Sequence, residues 1–453
     1  MPVVFVPRET EPGETRVAAT PSSVRALTQM GFRVVLEADA GEGSLFSNSD
    51  YRSAGAEIST DPRSAYWMAD IVLKYHPPAY RKAIELDEAS QLKKGALVIS
   101  FLWPTQDIVM VQRLASAQVT SFAMDQVPQM PRSQSMDALA SQSSIAGYKA
   151  VMIAANSIPK MMPLMMTGAG TIRPAKVVVL GLGIAGVQAV ATARRLGAEV
   201  EALGIHGHVK QQVESLGATF VSLSPKEPEA AQKRKTEAEI AAERLRFQQA
   251  VTHKHANNAD IVICTFLDQG PTPPKILTES TLQAMPKGGV VVDLASNCPL
   301  SVPEQIKEHH GVTLVAPKDL ATAQPRDASH MYANNVLAVI RHLFQKDELV
   351  YDFTDPITKK SIVTHQGDIL HKRALDKLAP SQRKKKVSAQ FGKPKGSHKS
   401  QSPEAPKSPT PAPGQPGKGK ITPAPAATPA PSKGPQAGKL GKPPGYSIKP
   451  PRK

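Results

Sequence analysis

Cysteines, aromatic residues and long apolar runs are all scarce in this chain. Only two of its 453 residues are cysteines and 5% are aromatic, which excludes a disulfide scaffold and favours a reducing compartment. The longest apolar stretch, residues 177–193, is interrupted by glycines and a glutamine, and the N-terminus lacks the regions of a secretory signal. We therefore expect a cytoplasmic protein without membrane-spanning helices, long enough for two domains.

Acidic residues are almost absent from residues 381–453. This segment holds 16 of the 55 lysines and arginines, one of the 39 acidic residues and 16 of the 41 prolines. It therefore carries +15 of the net charge of +16, and the preceding residues are nearly neutral. Because it contains almost no large apolar residues, we predict a disordered, basic, proline-rich tail. Such a tail serves either as a tether to an anionic surface or as a solubilising extension.

Short β-branched runs alternate with helical patterns in two series. The first series comprises residues 3–9, 33–38, 69–74, 96–102 and 118–124, and the second comprises residues 176–181, 199–204, 218–223, 260–266, 289–295 and 312–317. Strands that alternate with helices form parallel, doubly wound sheets. The pattern predicts an α/β fold with two Rossmann-like doubly wound parallel-sheet domains that are joined by long helices.

A long helical stretch without strand signals, residues 134–161, separates the two series. We place the domain boundary there, which gives an N-terminal domain of residues 1–135 and a second domain of residues 136–317. Residues 318–370 contain a helical pattern and are expected to return to the first domain. The charged residues 228–252 predict a solvated helix, and the methionine-rich residues 161–166 predict a packing surface in the core or between the domains.

The most informative motif is GLGIAG, residues 181–186, which follows a buried strand and begins a helix. In that setting the glycines permit a tight turn, a close approach to a pyrophosphate and close packing of helix on sheet. The first N–H groups of the helix then face the anion. We predict that Gly181, Gly183, Ile184, Ala185 and Gly186 bind a dinucleotide. The alternative is a structural turn that binds nothing.

The same motif normally requires an acidic residue at the end of the second strand, where the carboxylate binds the adenosine ribose. That position is Gly204, and His206 follows. Because histidine is mostly neutral near pH 7, we do not expect a preference for a 2′-phosphate. Gly204 and His206 are predicted to contact the cofactor, together with Thr265 and Asp293 at the ends of two later strands.

Four stretches, residues 8–58, 132–151, 174–202 and 212–220, resemble the alanine dehydrogenase/transhydrogenase family. The resemblance covers residues 1–370 and is greatest to the soluble NAD(H)-binding components of proton-translocating NAD(P) transhydrogenases. It implies NAD(H) in a cleft between two domains, and hydride transfer to NADP⁺ on a separate component. It also implies membrane-spanning and NADP(H)-binding partner subunits, a homodimer, and a location at the inner face of a membrane.

The resemblance further assigns Gln134 and Asp137 to the catalytic site. The glutamine that matches Gln134 helps to place the nicotinamide ring, and Asp137 matches the aspartate one helical turn later. Read from the residues alone, a Gln and an Asp three positions apart at a helix start are equally typical of helix caps.

Several positions depart from the family pattern. Gln129 replaces an arginine near Asp137, Ala140 replaces a serine, and Gly204 and His206 replace an acid and an arginine. A tyrosine-bearing loop is replaced by the charged residues 228–252. These departures favour an alternative function, in which a catalytically degenerate family member acts as a nucleotide-binding or interaction scaffold.

The other function within this family is that of alanine dehydrogenase itself. Arg16 and Lys74 match its substrate contacts, but its histidine acid/base falls at Trp103. Without that group the reduction of pyruvate lacks its proton donor, so we interpret Arg16 and Lys74 as structural ion-pair residues. Cys264 and Cys298 lack paired spacing, so no metal is expected.

Overall fold

The computed structural model describes residues 1–225, 236–267 and 273–378. The predicted disordered tail, residues 381–453, lies outside the described residues, as does the beginning of the charged segment, residues 228–235. The described residues form two large sheets with helices packed against them, besides three two-stranded ones, and they confirm the predicted α/β fold with two mainly parallel sheets. The domain boundaries given above stay a prediction.

Residues 1–136 alternate short strands and helices. The strands β1 to β8 are Val3–Val6, Arg33–Glu37, Glu57–Ser59, Ile71–Leu73, Tyr80–Arg81, Leu86–Asp87, Leu97–Ser100 and Thr120–Ala123. The helices α1 to α5 are Pro21–Gln29, Asn48–Ser53, Pro62–Met68, Glu88–Gln91 and Ile108–Ser116.

Residues 138–316 begin with the long helix α6, Ala138–Ser157, which occupies the stretch that lacks strand signals. The strands β9 to β17 are Met165–Thr167, Gly170–Ile172, Lys176–Leu180, Glu199–Gly204, Thr219–Ser222, Ile261–Cys264, Val290–Asp293, Gln305–His309 and Val312–Ala316. The helices α7 to α10 are Ile184–Arg195, Lys210–Ser215, Glu237–Ala256 and Glu279–Ala284.

Residues 325–378 begin with a second long helix, α11, Pro325–Leu343. The strands β18 to β21 are Phe344–Gln345, Glu348–Leu349, Ile362–His365 and Asp368–Ile369, and the helices α12 and α13 are Pro356–Ser361 and Lys372–Lys377. Tyr332, Val336 and Ile340 of α11 are buried in the same apolar cluster as Val4 and Leu73 of the first sheet.

The first sheet has eight strands in the order β21-β20-β8-β7-β4-β1-β2-β3. The strands from β8 to β3 are parallel, and β20 and β21 are antiparallel additions at one edge. Every run of the first series that the sequence predicted as a strand contains one.

The second sheet has seven strands in the order β13-β12-β11-β14-β15-β17-β16. All are parallel except the edge strand β16. The chain order reverses between β11 and β14, and a doubly wound sheet binds its ligand outside the carboxyl ends of the strands at such a reversal. The topology therefore places the candidate site at the end of β11, where the motif at residues 181–186 begins.

The prediction that residues 161–166 form a packing surface was wrong for most of them. Met162 is buried, but Leu164 is 55% exposed and Met166 is 72% exposed. The reason is that β9 and β10 pair as an isolated two-stranded hairpin whose apolar side chains find no sheet to cover them.

Candidate functional site

A cavity of about 1020 Å³ opens at the carboxyl ends of β11, β12 and β14 and extends to the turn that precedes α6. Its volume is at the upper end of the range for small-molecule sites. The predicted site residues that line it are Gln134, Asp137, Gly181, Gly183, Ile184, His206 and Thr265. Ala185, Gly186, Gly204 and Asp293 are not among the described residues that line it. The structure thus brings together both ends of the predicted site.

Two glycines of the turn are required by packing. Gly181 has a φ of +90°, and a β-carbon there would lie 2.5 Å from the Cα of Phe266. A β-carbon on Gly186 would lie 1.9 Å from the carbonyl oxygen of Gly181. Real β-carbon contacts are never this short, so these two positions fix the turn against its own strand and against the end of β14.

Gly183 differs from its neighbours because nothing lies within 4 Å of the position that its β-carbon would take. Its φ of −71° is accessible to any residue, so neither strain nor packing demands glycine there. The free space belongs to the cavity. Gly183 therefore provides room for a ligand to approach the backbone.

The N-terminus of α7 is open to the same cavity. Gly183 is its capping residue and supplies no side-chain acceptor, and the first turn contains no acidic residue. The first N–H groups of a helix have no partner within the helix and carry a partial positive charge. Their position beside the space at Gly183 suits a phosphate group.

β12 ends at Gly204, which has no side chain. A β-carbon on Gly204 would lie 2.7 Å from Cδ1 of Leu182, so a larger side chain must displace this lining residue. His206 stacks on His208 with ring centroids 5.4 Å apart. Among the described lining residues Asp137 is the only acid, and it is accompanied by no lysine or arginine.

Thr265 and Asp293 act on the loops around the turn. The Thr265 hydroxyl donates to the carbonyl oxygen of Gly181 at 2.9 Å. The Asp293 carboxylate accepts the backbone N–H groups of Asn297 and Cys298, each at 2.9 Å. Asp293 therefore holds its own loop rather than a position in the cavity wall.

Asn297 is a residue that the sequence analysis missed. It is fully buried, and its side chain accepts the N–H of Phe266 at 2.9 Å and donates to the carbonyl oxygen of Phe266 at 2.8 Å. Through these bonds Asp293 and Asn297 fix the loop that carries Thr265. The available signal was an Asp and an Asn four positions apart directly after a buried strand.

The turn before α6 carries the other predicted residues. Asp137 accepts the N–H of Ala140 at 2.8 Å and is the capping residue of α6. Because Asp137 also lines the cavity, it is consistent with both interpretations, a helix cap and a site residue. The Gln134 side chain is exposed toward the cavity and forms no hydrogen bond with the described residues. Gln129 also lines the cavity, at the position where the resemblance predicts an arginine.

Arg16 is buried and its guanidinium group is fully occupied. Its Nε and one Nη donate to the two carboxylate oxygens of Glu14, at 2.7 and 2.6 Å. The remaining bonds reach the Asp319 carboxylate at 2.6 Å, the Tyr75 hydroxyl at 2.6 Å and the Gln142 amide oxygen at 3.1 Å. An arginine has five N–H donors, so none is left for a substrate carboxylate.

Lys74 is likewise enclosed, with its Nζ 3.0 Å from Glu88 and 3.4 Å from Glu9. Burial lowers the pKa of an ammonium group, but attraction to these two carboxylates outweighs it and the pKa of Lys74 is raised. Arg16 and Lys74 are thus structural ion-pair residues, as interpreted from the sequence. Trp103, at the position of the missing histidine, is 41% exposed and stacks on Phe101.

Two negative findings apply to the residues that the structure describes. Nowhere among them do three His, Cys, Asp or Glu side chains cluster as metal ligands. In the same residues, no helix combines the length and the apolarity that crossing a bilayer needs.

Comparisons with known proteins relate the chain to one family. Residues 5–146 match the family model described as alanine dehydrogenase/PNT, N-terminal domain, and residues 150–372 match the corresponding C-terminal domain. An NAD(P) transhydrogenase subunit alpha polypeptide of Rhodospirillum rubrum is 37% identical over 81% of this chain and 97% of its own length.

Solved structures show the same relationship. A transhydrogenase from Sinorhizobium meliloti superposes with a TM-score of 0.69 at 35% identity, over 82% of this chain and 99% of that one. An L-alanine dehydrogenase superposes with a TM-score of 0.67 over 83% of this chain and 98% of that one, but at 24% identity it shows the shared fold alone.

Proposed function

The chain belongs to the alanine dehydrogenase/transhydrogenase family, and on that premise we propose that it is the NAD(H)-binding component of a proton-translocating NAD(P) transhydrogenase. The observation that carries the proposal is the open space at Gly183 beside the uncapped start of α7. Bound NAD(H) would exchange a hydride with NADP⁺ on a partner subunit, and this chemistry requires no acid or base from the protein.

The described residues fit a dinucleotide. The turn at residues 181–186 holds the pyrophosphate, through the space at Gly183 and the first N–H groups of α7. The adenosine end lies toward Gly204 and His206, on the side of the cavity formed by β12. Thr265 keeps Gly181 in place, and Asp293 acts through the loop of Asn297 rather than by contact.

The nicotinamide end lies toward the turn before α6. Asp137 is fixed there as a helix cap, while the amide of Gln134 is exposed and without a partner among the described residues. An exposed amide at this place is able to bind the carboxamide of the ring and to orient it toward a partner subunit. Orientation is the contribution that a hydride transfer needs from the protein.

The proposal is tested by hydride transfer from NADH to an NADP⁺ analogue whose reduced form absorbs at a distinct wavelength, after reconstitution with the membrane-spanning and NADP(H)-binding subunits. Gln134→Ala is expected to lower kcat by about tenfold or more while the Kd for NADH stays within about threefold. Gln211→Ala, an exposed glutamine outside the cavity lining, is the matched control and changes neither value.

A second candidate function is a catalytically degenerate nucleotide-binding scaffold. The observation that favours it is a cavity lining with one acid and no lysine or arginine among the described residues. Undiminished NADH binding without any hydride transfer in the reconstituted assay supports this candidate and contradicts the first.

We also propose that two copies of the chain form a homodimer through the hairpin of β9 and β10. The observation in favour is its uncovered apolar surface, which includes Leu164 (55% exposed), Met166 (72%) and Ile172 (44%). Exposed apolar patches of this kind are typical of interfaces between proteins.

The basic residues 381–453 are proposed to tether the protein to an anionic membrane surface, which would place it beside its membrane-spanning partner. A net charge of +15 is attracted to anionic lipid and is screened by salt. Co-sedimentation of the full chain with vesicles that contain phosphatidylserine is expected at low ionic strength and is lost at about 0.5 M salt. Binding to no vesicle at low salt supports the solubilising extension instead.

A further inference from the structure

A second, smaller cavity adjoins the candidate site at the end of β12. Its volume is about 380 Å³, and it shares Ile205 and His206 with the lining of the larger cavity. On the far side it is bounded by α9, through Arg244 and Phe247. We call this space the ribose-side cavity, because it lies next to Gly204, the position that faces the adenosine ribose in dinucleotide-binding sheets.

The ribose-side cavity brings together a histidine and an arginine that are far apart in sequence. His206 follows β12, whereas Arg244 lies on α9 and reaches the same space. Arginine is charged at every physiological pH and its planar group matches phosphate oxygens. The sequence pattern indicated only the histidines here, because residues 228–252 predicted a solvated helix.

The carboxylate that would exclude a 2′-phosphate is also missing beside the ribose-side cavity. A dinucleotide-binding fold selects NAD(H) with an acid at the end of the second strand and accommodates NADP(H) with a nearby arginine. Here the strand ends in Gly204, and Arg244 lines the adjoining space. Glu243 is the one acid among the described lining residues, and it lies on α9 rather than at the strand end.

We propose that the ribose-side cavity receives the 2′-phosphate of an adenosine ribose, with Arg244 and His206 as its contacts, so that this chain binds NADP(H) as well as NAD(H). The inference rests on the proposed function, because the adenosine must lie beside Gly204 for its 2′ position to reach Arg244. The hydride donor site of this chain would then be open to both nucleotides.

The test is titration calorimetry of the full chain with NADH, NADPH, 5′-ADP and 2′,5′-ADP. We expect the Kd values for NADPH and NADH to agree within about fivefold. Arg244→Gln is expected to weaken the binding of NADPH and of 2′,5′-ADP by about tenfold or more, which is the usual effect of losing a charge-assisted hydrogen bond. The same variant is expected to weaken the binding of NADH by less than about twofold. Arg246→Gln, an exposed arginine of α9 outside the cavity, is the matched control and leaves all four affinities unchanged.

The outcomes separate the two proposals. The inference is overturned if the Kd for NADPH is more than about a hundredfold above that for NADH, or if Arg244→Gln changes both Kd values equally. Neither result contradicts NADH binding, on which the proposed function depends. Binding of 2′,5′-ADP that depends on Arg244, without binding of NADH, supports the cavity and contradicts the proposed function. Failure of all four nucleotides to bind overturns both.

Discussion

The carbonyl oxygen of Gly181 lies 1.9 Å from the point that a β-carbon on Gly186 would occupy. The start of α7 therefore packs directly against the end of β11, the strand that precedes it. Gly183, between the two, has no atom within 4 Å of its corresponding point. One short turn therefore contains glycines that packing requires and one that neither packing nor backbone strain requires.

This difference predicts unequal stability losses for two similar variants. Gly186→Ala is expected to lower the free energy of unfolding by about 1–3 kcal/mol, because backbone atoms must shift to admit the methyl group. Gly183→Ala is expected to cost only about 0.5–1 kcal/mol, the difference between glycine and alanine at a helix N-cap, since the methyl group itself meets free space. Urea unfolding of both variants measures the difference. Equal losses would show that Gly183 is also a packing residue.

The sequence predicted most of the strands that are buried in the two sheets, because β-branched runs such as residues 176–181 and 289–295 carry their own pattern. It missed the buried strand β20, Ile362–His365. It also missed β16, Gln305–His309, whose residues are mostly exposed and polar. An edge strand of this kind is formed by hydrogen bonds to its neighbour, β17, and not by an apolar pattern.

The candidate site likewise has a part that the sequence predicts and a part that it does not. The turn at residues 181–186 is local, so its spacing was sufficient to predict it. Asn297 holds the loop of Thr265, and Arg244 lines the adjoining ribose-side cavity. Both belong to segments that are distant in sequence from the turn, and only the folded chain brings them near it. Asp293 was chosen for its place at a strand end, but its hydrogen bonds turn it toward its own loop.

The buried pair of Arg16 and Glu14 predicts a loss of stability in acid. Burial raises the pKa of the Glu14 carboxyl, but hydrogen bonds from Arg16 and His76 outweigh it and lower the pKa from 4.5 to about 2. A lowered pKa stabilises the fold above the unfolded value, and this stabilisation is lost as the pH falls from 4.5 toward 2. The shift of the Glu14 pKa corresponds to about 3 kcal/mol in the free energy of unfolding.

Chemical unfolding between about pH 6 and pH 2.5 tests this dependence. Glu14→Gln is expected to be less stable than the wild type at the upper pH but to lose less further stability in acid. The exposed Glu42→Gln variant is the control and retains the wild-type profile. Identical acid profiles for Glu14→Gln and the wild type would contradict the role given to this pair.

The occupied donors of Arg16 predict the absence of alanine dehydrogenase activity. NADH oxidation by the full chain should not respond to pyruvate and ammonium, because no donor of Arg16 is free for the substrate carboxylate. Trp103→His should not create the activity, since it leaves Arg16 unchanged. An alanine dehydrogenase assayed in parallel is the positive control, and oxidation of NADH that depends on pyruvate would refute the interpretation.

The exposed hairpin predicts the oligomeric state. Sedimentation velocity of the wild type should show a dimer, and Met166→Glu should shift it to a monomer by placing a charge in the apolar contact. Val109→Glu changes a residue of α5 that is also exposed, at 62%, and should leave the dimer intact. A monomeric wild type, or a dimeric Met166→Glu, would count against the hairpin.

The most direct test of the central claim is the titration of the full chain with NADH, for the wild type and for Gly183→Val. The φ of Gly183 is accessible to any residue and nothing lies within 4 Å of its β-carbon position, so the variant is expected to unfold at nearly the same urea concentration. Binding of NADH in the micromolar range, weakened by about tenfold or more in Gly183→Val, is the predicted result. An unchanged affinity in the folded variant would contradict the placement of the nucleotide at this turn.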